Sequence, residues 1–274
     1  MAITTDERGT ISFCHRCHYW RSEWRAACRK CGTLFELVSD PDGTIGTCPH
    51  CGDTSARTER LHIEPTRVTR AEPLDWSPRA EAIWRRTRPL AGSLGEVYLR
   101  HRGCRLPPAD GDLRYLPPTG SHPPTLCARV TDAVTARPLS LHFTRLAPDG
   151  RSKAGTGRDK LLLAGHRKRG GVIRLWPDEA VTYGLGIAEG IETALAAARL
   201  YTPVWACIDA GNLAALPVLP GIECLAIYAD HDDAGTRAAQ ECARRRKAAD
   251  REVVIYRPRM RGEDIADLAQ RRVA

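Results

Sequence analysis

The sequence predicts an α/β protein whose last third is a doubly wound parallel sheet, preceded by a basic α+β region and a small cysteine-rich module. Three observations lead to this prediction. After Pro177, strand-like apolar runs alternate with helix-like runs. Between Leu113 and Leu175, short β-type runs are separated by Pro and Gly turns. The first 51 residues hold three Cys-x-x-Cys pairs. Strands that alternate with helical crossovers are typical of a parallel sheet.

The cysteine-rich module is predicted over residues 1–62. Two of its pairs flank the predicted strands Thr33–Val38 and Thr44–Thr47, which are joined by the turn sequence Asp40–Gly43. Four thiolates at this spacing predict a tetrahedral zinc ribbon, because Zn²⁺ is commonly held by two such knuckles. Paired cysteines in a protein without a signal peptide favour metal over disulfides. The predicted Zn²⁺ ligands are Cys28, Cys31, Cys48 and Cys51.

The third pair, Cys14 and Cys17, leaves the zinc assignment open. It can replace one pair of the ribbon or form a second site with nearby histidines. The module also places Tyr19, Trp20 and Trp24 among arginines, an arrangement that would allow bases of a single strand to stack. The alternative is that zinc only folds a module too small to bury a core of its own.

A linker and a basic α+β region follow the module. Residues 63–78 carry three prolines and are predicted to be the linker. The α+β region, residues 79–180, begins with one helix from Arg79 to about Arg88, capped by Ser77-Pro78, and a second over Ser93–Arg100. Its predicted strands are Leu126–Val134, Leu139–Leu146, Lys160–Leu163 and Val172–Leu175.

The positive charge is concentrated in this region. The net charge is +8, and the segment from Arg137 to Arg174 alone contains ten Lys or Arg against two Asp. Such a segment predicts a polyanionic partner, because binding phosphates releases condensed counterions; the alternative is a solvated loop. The sequence contains neither a signal-peptide pattern nor a stretch near the roughly 18 to 20 apolar residues of a membrane span, so we expect a cytoplasmic protein without a membrane partner.

The last predicted domain covers residues 181–274. Its strands are expected at Tyr183–Ala188, Pro203–Ile208, Cys224–Ala229 and Glu252–Tyr256. Its helices are expected at Ile191–Leu200, near Asn212, at Ala234–Lys247 and at Ile265–Arg271. Three of the four strands lead into acidic residues, and the carboxyl ends of strands in open α/β sheets are where ligands bind.

These acids are the candidate catalytic residues. Glu189 follows the first strand, Asp230 and Asp232 follow the third, and Asp264 follows the last. Carboxylates that converge on one edge repel each other unless a cation holds them, and Mg²⁺ prefers oxygen ligands. The alternative for each residue is a local role: Asp232 and Asp264 can cap the helices that follow them, and Glu189 can be a first-turn helix acid.

The acidic motifs resemble those of the Toprim domain, which is shared by bacterial-type primases, topoisomerases and OLD-type nucleases. Ile187–Ala194 is similar to the family's strand ending in Glu-Gly, and Ile227–Gly235 is similar to its Asp-x-Asp motif with the trailing Ala-Gly. Gly262–Asp267 is similar to the acidic segment that closes the primase version. Upstream, His142–Lys153 and Gly170–Leu175 resemble the primase-like Toprim proteins of phages, plasmids and integrated elements.

The resemblance implies a Rossmann-like domain and a division of roles among the acids. Glu189 would be the general acid/base or a metal-linked carboxylate, Asp230 and Asp232 would hold Mg²⁺ or Mn²⁺, and Asp264 would assist. It implies DNA primase activity, with single-stranded DNA and nucleotides as partners. Several basic residues would then lie along template or triphosphate, namely Arg145, Lys153, Arg158, Lys160, Arg167, Lys168 and Arg169.

Two features depart from the family pattern. Bacterial replicative primases carry a single Cys-x-x-Cys pair with a Cys-His pair, whereas this chain has three Cys-x-x-Cys pairs. The sequence also contains no Gly-x-x-x-x-Gly-Lys-Ser/Thr loop, so a replicative helicase would have to be a separate protein. Two alternatives to a primase stay open: a Toprim nuclease that uses the same acids, and a non-catalytic zinc-ribbon protein that only binds DNA.

Overall fold

The computed structural model describes residues 2–6, 9–13, 20–27, 34–40, 43–45, 73–120 and 122–271. The chain divides into two compact units, Met1–Arg70 and Ala71–Ala274. The further domain boundaries expected from the sequence stay a prediction. Within the described ranges, no helix is long and apolar enough to cross a bilayer.

The first unit is a five-stranded antiparallel sheet in which the strands follow one another in chain order. They are β1 Ala2–Asp6, β2 Gly9–Phe13, β3 Trp20–Ala27, β4 Leu34–Asp40 and β5 Gly43–Ile45. Asp40 pairs with Gly43, so the predicted turn closes the hairpin between β4 and β5. The first three strands are not predicted from the sequence. All six paired cysteines lie outside the described residues, so the zinc ribbon stays a prediction.

The second unit begins with two short helices and a mainly antiparallel sheet. The helices are α1 Pro78–Arg85 and α2 Leu94–His101; the strands are β6 Leu113–Leu116, β7 Thr125–Asp132, β8 Pro138–Arg145, β9 Lys160–Leu162 and β10 Gly171–Val172. The order is β10-β7-β8-β9, with β6 also pairing with β7. As predicted, Ser77 caps α1 by accepting a hydrogen bond from the amide of Ala80. The strand β6 is not predicted from the sequence.

The two faces of this sheet have different neighbours. Phe143 on β8 is opposite Leu161 on β9, and Phe143 packs against the core cluster that contains Ala80 of α1. The adjacent pair, His142 and Leu162, points to the other face, because side chains alternate along a strand. That second face packs against the last third of the chain, where Leu162 joins the core around Ile191.

The last third is the predicted parallel sheet with helices between its strands. The strands are β11 Gly184–Ala188, β12 Val204–Ala206, β13 Cys224–Tyr228 and β14 Glu252–Tyr256, in the order β12-β11-β13-β14. The helices are α3 Ile191–Ala197, α4 Ala210–Ala215, α5 Asp233–Ala248 and α6 Ile265–Arg271. All three strand pairings are parallel, which confirms the predicted fold class.

Both sheets are joined through shared backbone pairing and a shared core. Ile173 and Ala206 exchange two backbone hydrogen bonds of 2.8 and 3.0 Å at the β12 edge of the parallel sheet. The buried side chains of Tyr98 and Leu99 on α2 belong to the same core cluster as Ala194 of α3. The basic α+β region therefore packs directly on the helix that follows the first acidic motif.

Candidate functional site

The carboxyl ends of the four parallel strands lie at one level. Ala188 at the end of β11 is in register with Ala206 of β12 and with Tyr228 of β13. Tyr228 is in turn in register with Tyr256 of β14. The chain therefore leaves the sheet towards the same edge after every strand, and the acids that follow share this edge.

Glu189, Asp230 and Asp264 are half-buried, whereas Asp232 is exposed. Burial raises the pKa of Glu189, and repulsion from Asp232 and Asp209 adds to the effect. Burial also raises the pKa of Asp230, to about 7, together with repulsion from Glu189, Asp264 and Asp232. The charge of Asp230 therefore interacts with those of the other three acids predicted from the sequence.

The predicted cation fits this edge by its donor chemistry. The Oδ1 atom of Asp230 is buried without a hydrogen-bond partner, although it is a strong acceptor. A divalent cation would satisfy this oxygen and relieve the repulsion among the carboxylates. In the described part of the chain, no three His, Cys, Asp or Glu side chains form a ready metal cluster. Mg²⁺ commonly uses one or two carboxylates and completes its shell with water and phosphate oxygens.

Asp232 and Asp264 also have the local roles that the sequence allows. Oδ1 of Asp232 accepts a 2.7 Å hydrogen bond from the amide of Gly235 and caps α5. Oδ1 of Asp264 accepts a 2.7 Å hydrogen bond from the amide of Asp267, and Oδ2 of Asp267 accepts one of 3.2 Å from the amide of Asp264. Each cap uses a single carboxylate oxygen, so capping and cation binding are compatible.

Gly235 allows the close packing of this motif. A Cβ atom added there would lie 2.7 Å from the carbonyl oxygen of Asp230. Since that oxygen belongs to backbone, no flexible side chain can move aside. The glycine after Asp-x-Asp is therefore required for the position of Asp230 itself.

A cluster of buried and basic side chains lies beside the carboxylate edge. Glu192, only 4% exposed, accepts hydrogen bonds from the Tyr98 hydroxyl and from Nζ of Lys160, each at 2.9 Å. Nζ of Lys153 lies 3.4 Å from the same carboxylate. Burial opposes ionisation of Glu192, but the two lysines prevail and lower its pKa to about 2.

Lys160 links this cluster to the acids. Its ammonium group lies 3.7 Å from the position that a Cβ atom would take at Gly190, next to Glu189. Its positive charge opposes the rise in pKa of both Glu189 and Asp230. The lysine therefore supplies a positive charge beside Glu189 and Asp230.

A fifth carboxylate, Asp209, lies after β12 and is joined to the basic loop. Its Oδ2 atom is 2.6 Å from Nζ of Lys168, and its Oδ1 atom caps α4 through the amide of Asn212. Burial raises the pKa of Asp209, but the hydrogen bond and charge of Lys168, together with the backbone amides of Asn212 and Gly211, outweigh it and lower the pKa. The Asn212 side chain in turn donates to the carbonyl oxygens of Lys168 and Gly171, at 2.8 and 3.2 Å.

The other predicted basic residues are not on one surface. Arg167 forms ion pairs with Asp75 and Asp132, at 2.7 and 3.4 Å. Arg158 and Arg169 are exposed. Arg145 lies on the face of the sheet that carries Phe143, away from Lys160. Only Lys153 and Lys160, and Lys168 through Asp209, are near the acids.

Sequence reasoning missed three residues of this site. Asp209 follows a predicted strand by the same rule as the other acids, so the signal was present in the sequence. Glu192 has a weaker signal, since an acid in the first turn of a helix is common. Tyr98 has none, because it reaches Glu192 across 94 positions of the chain.

Comparison with known families agrees with the acidic motifs. Residues 184–274 match the Toprim domain. Residues 75–175 match a domain of unknown function, DUF7146. A search of curated proteins found no match.

Several primase structures are similar to the chain at low identity. A DNA primase domain from Pseudomonas aeruginosa is 14% identical with a TM-score of 0.38, over 67% of this chain and 57% of that one. The primase fragment of the bacteriophage T7 primase-helicase protein is 14% identical with a TM-score of 0.43, over 91% and 96%. The zinc-binding and RNA polymerase domains of Aquifex aeolicus primase are 13% identical with a TM-score of 0.44, over 100% and 80%.

The chain thus spans little more than half of the Pseudomonas primase domain. Similarity at this level says nothing of activity. The family match, the parallel sheet and the acids at its carboxyl edge agree with one another, and residues 184–274 have the fold of a Toprim domain.

Proposed function

We propose that this protein is a primase-like enzyme that performs Mg²⁺-dependent nucleotidyl transfer on single-stranded DNA. One observation carries the proposal: half-buried Glu189 and Asp230 repel each other at the carboxyl edge of a Toprim fold. Repulsion of this kind is maintained where a cation and phosphates are to be bound. Replication of a mobile element is the setting that the sequence resemblance suggests.

In this proposal the acids and Lys160 have distinct tasks. Asp230 and Asp232 would hold Mg²⁺, with Asp264 next to them. The metal would bind phosphate oxygens and stabilise the negative charge that develops on them. Glu189 would take up or release a proton at its carboxylate, a role favoured by its raised pKa. The ammonium of Lys160, held by Glu192, would bind a phosphate of the nucleotide.

The first unit and the basic residues would serve the same reaction. Zn²⁺ held by Cys28, Cys31, Cys48 and Cys51 would fold the module that contacts the strand. Reduced thiols of this kind fit a cytoplasmic protein. Metal analysis of the purified chain would test this part: one zinc ion per chain is expected, lost in Cys31→Ser but retained in Cys127→Ser, a buried cysteine of the second unit.

The main experiment combines labelled nucleotides, a single-stranded DNA template and Mg²⁺. We expect template-dependent products, reduced by a factor of about 100 or more in Glu189→Gln. Glu179→Gln is the matched control, because Glu179 is an exposed glutamate outside the carboxylate edge. Products that form equally well in Glu189→Gln would contradict the proposal.

Two other results would replace it with the alternatives. Shortened template, dependent on Glu189, would identify a nuclease. Tight binding of the strand without any product or cleavage would identify a non-catalytic DNA-binding protein.

A further inference from the structure

A cavity of about 430 Å³ lies on the face of the antiparallel sheet that packs against α1. α1 covers only part of this face, through Ala80 and Ile83. The rest is open between α1, the ends of β8 and β9 and the loop that precedes β7. Its volume falls within the range of small-molecule sites, roughly 300 to 1,000 Å³.

The floor of the cavity is apolar and its rim is basic. Phe143, Leu161 and Ile83 contribute the apolar surface. Arg79, Arg86 and Arg145 line the same cavity, and none of its described lining residues is acidic. Glu81, the nearest acid along α1, already accepts hydrogen bonds from Trp76 at 2.9 Å and Arg85 at 2.6 Å.

Two other arginines on this face make structural contacts with neighbouring side chains. Arg129 pairs with Asp112 at 2.5 Å and lies over the Trp84 ring at 5.1 Å. Arg114 lies over the same ring at 5.3 Å. Arg79, Arg86 and Arg145 make no such ion pair within the described part of the chain. Three guanidinium groups around an apolar pocket are therefore available for an anion.

We propose that this cavity is a second ligand site, which binds a nucleotide unit with its base on Phe143 and its phosphate between the arginines. Planar guanidinium groups match phosphate oxygens in pairs, and an aromatic ring provides a surface on which a base can stack. The same chemistry is offered by a free nucleotide and by one nucleotide of a single strand. The cavity is too apolar for a phosphate ion alone to account for its shape.

This site is separate from the carboxylate edge. Phe143 and Arg145 alternate along β8 with His142 and Thr144, which face the parallel sheet. Thr144 is opposite Lys160, so the lysine that binds Glu192 lies on the far side of the sheet from the cavity. The inference therefore goes beyond the proposed catalysis and does not depend on it.

The test measures binding of ATP and of a short oligothymidylate to the full chain by calorimetry without added Mg²⁺. We expect binding that weakens about tenfold or more in Arg145→Gln and in Arg86→Gln, since each removes charge-assisted hydrogen bonds. Arg85→Gln is the matched control, because Arg85 lies on the same helix but does not line the cavity. Phe143→Leu keeps the apolar core filled and should weaken binding through lost stacking.

The two probes distinguish the sources of the nucleotide. Tighter binding of ATP, lost in Arg145→Gln, would indicate a free nucleotide; tighter binding of the oligothymidylate with the same dependence would indicate a strand. Pyrophosphate that binds as tightly as either probe would overturn the nucleotide assignment. Equal weakening in Arg85→Gln and Arg145→Gln would overturn the site, as would unchanged binding in all arginine variants. Glu179→Gln, at an exposed acid outside both sites, should bind both probes as the unmodified chain does. The test reads binding without Mg²⁺ and not product formation, so a failed catalytic proposal leaves it intact.

Discussion

Nζ of Lys160 lies 2.9 Å from Oε2 of Glu192, a carboxylate that is buried three positions after Glu189. The pair joins β9 of the antiparallel sheet to the first turn of α3, which follows the acidic motif. A lysine from one part of the chain is thus held at the carboxylate edge formed by another. This contact explains why a buried glutamate and two lysines occur together beside a group of carboxylates.

The first prediction separates the two lysines that share Glu192. Lys160 and Lys153 both pair with this carboxylate, and Lys160 is also among the main charges that act on the pKa of Glu189 and Asp230. We expect Lys160→Met to reduce product formation at least about tenfold more than Lys153→Met, because it removes the charge that we propose to bind a phosphate. The melting temperatures of both variants should fall by similar amounts. Equal losses of activity would show that Lys160 acts only through folding.

The second prediction concerns stability and pH. The lysines lower the pKa of Glu192 from its ordinary 4.5 to about 2, against the effect of burial. A folded-state pKa below the unfolded one means that the ionised carboxylate stabilises the fold above about pH 4.5 and loses this effect as the pH falls towards 2. The contribution is on the order of 3 kcal/mol at neutral pH.

Glu192→Gln removes this dependence and provides the measurement. Urea unfolding at about pH 6 should show the variant less stable, and the difference from the unmodified chain should shrink by about half near pH 3. Asp149→Asn, at an exposed carboxylate of the same region, controls for general effects of charge. A difference that is constant with pH would mean that Glu192 is not ionised in the folded chain.

Local signals explain most of what the sequence predicts correctly. The Ser77-Pro78 cap locates α1, and the structure places α6 at Ile265–Arg271 as predicted, behind the reciprocal caps of Asp264 and Asp267. Apolar runs between turns locate the parallel strands: β11 and β12 are buried throughout, whereas the edge strand β14 is apolar but mostly exposed. The acids gather because parallel strands end at a common edge, which is a property of the topology and not of any one residue.

The parts that the sequence does not predict depend on distant partners. β6 has four residues and is defined by its pairing with β7 across the intervening loop. Glu192 looks like an ordinary first-turn acid until Tyr98 and Lys160 are placed beside it. The separation of Arg145 from Lys160 likewise follows from strand register, which a count of basic residues does not contain.

The third prediction separates capping from cation binding at Asp232. Asparagine caps a helix about as well as aspartate, whereas alanine costs about 1 kcal/mol. We therefore expect Asp232→Asn to keep the melting temperature and lose most Mg²⁺-dependent activity, and Asp232→Ala to lose both. Asp233→Asn is the control, because Asp233 is exposed and pairs only with Arg261 in the described chain. Full activity in Asp232→Asn would assign this residue to the cap alone.

The fourth prediction concerns the direction of the stability change in Gly235→Ala. Alanine in place of glycine within a helix normally stabilises it by up to about 1 kcal/mol. At Gly235 the added Cβ would lie 2.7 Å from the Asp230 carbonyl oxygen, so Gly235→Ala should instead lower the melting temperature and displace Asp230. Activity should fall with it. A variant that melts higher and stays active would show that the close approach has no role at the site.

The fifth prediction is that Mg²⁺ stabilises the folded chain. Repulsion among the carboxylates contributes to the raised pKa of Asp230, so a cation that binds only the folded edge should raise the melting temperature. A concentration one hundred times the Kd would add about 2.7 kcal/mol to the free energy of unfolding.

The metal should be added to dialysed protein instead of being removed with a chelator, which would also strip the predicted zinc. NaCl at equal ionic strength measures screening, and Glu189→Gln should reduce the Mg²⁺ effect while Glu179→Gln keeps it. An equal rise with NaCl would mean that the edge is screened and does not bind the cation.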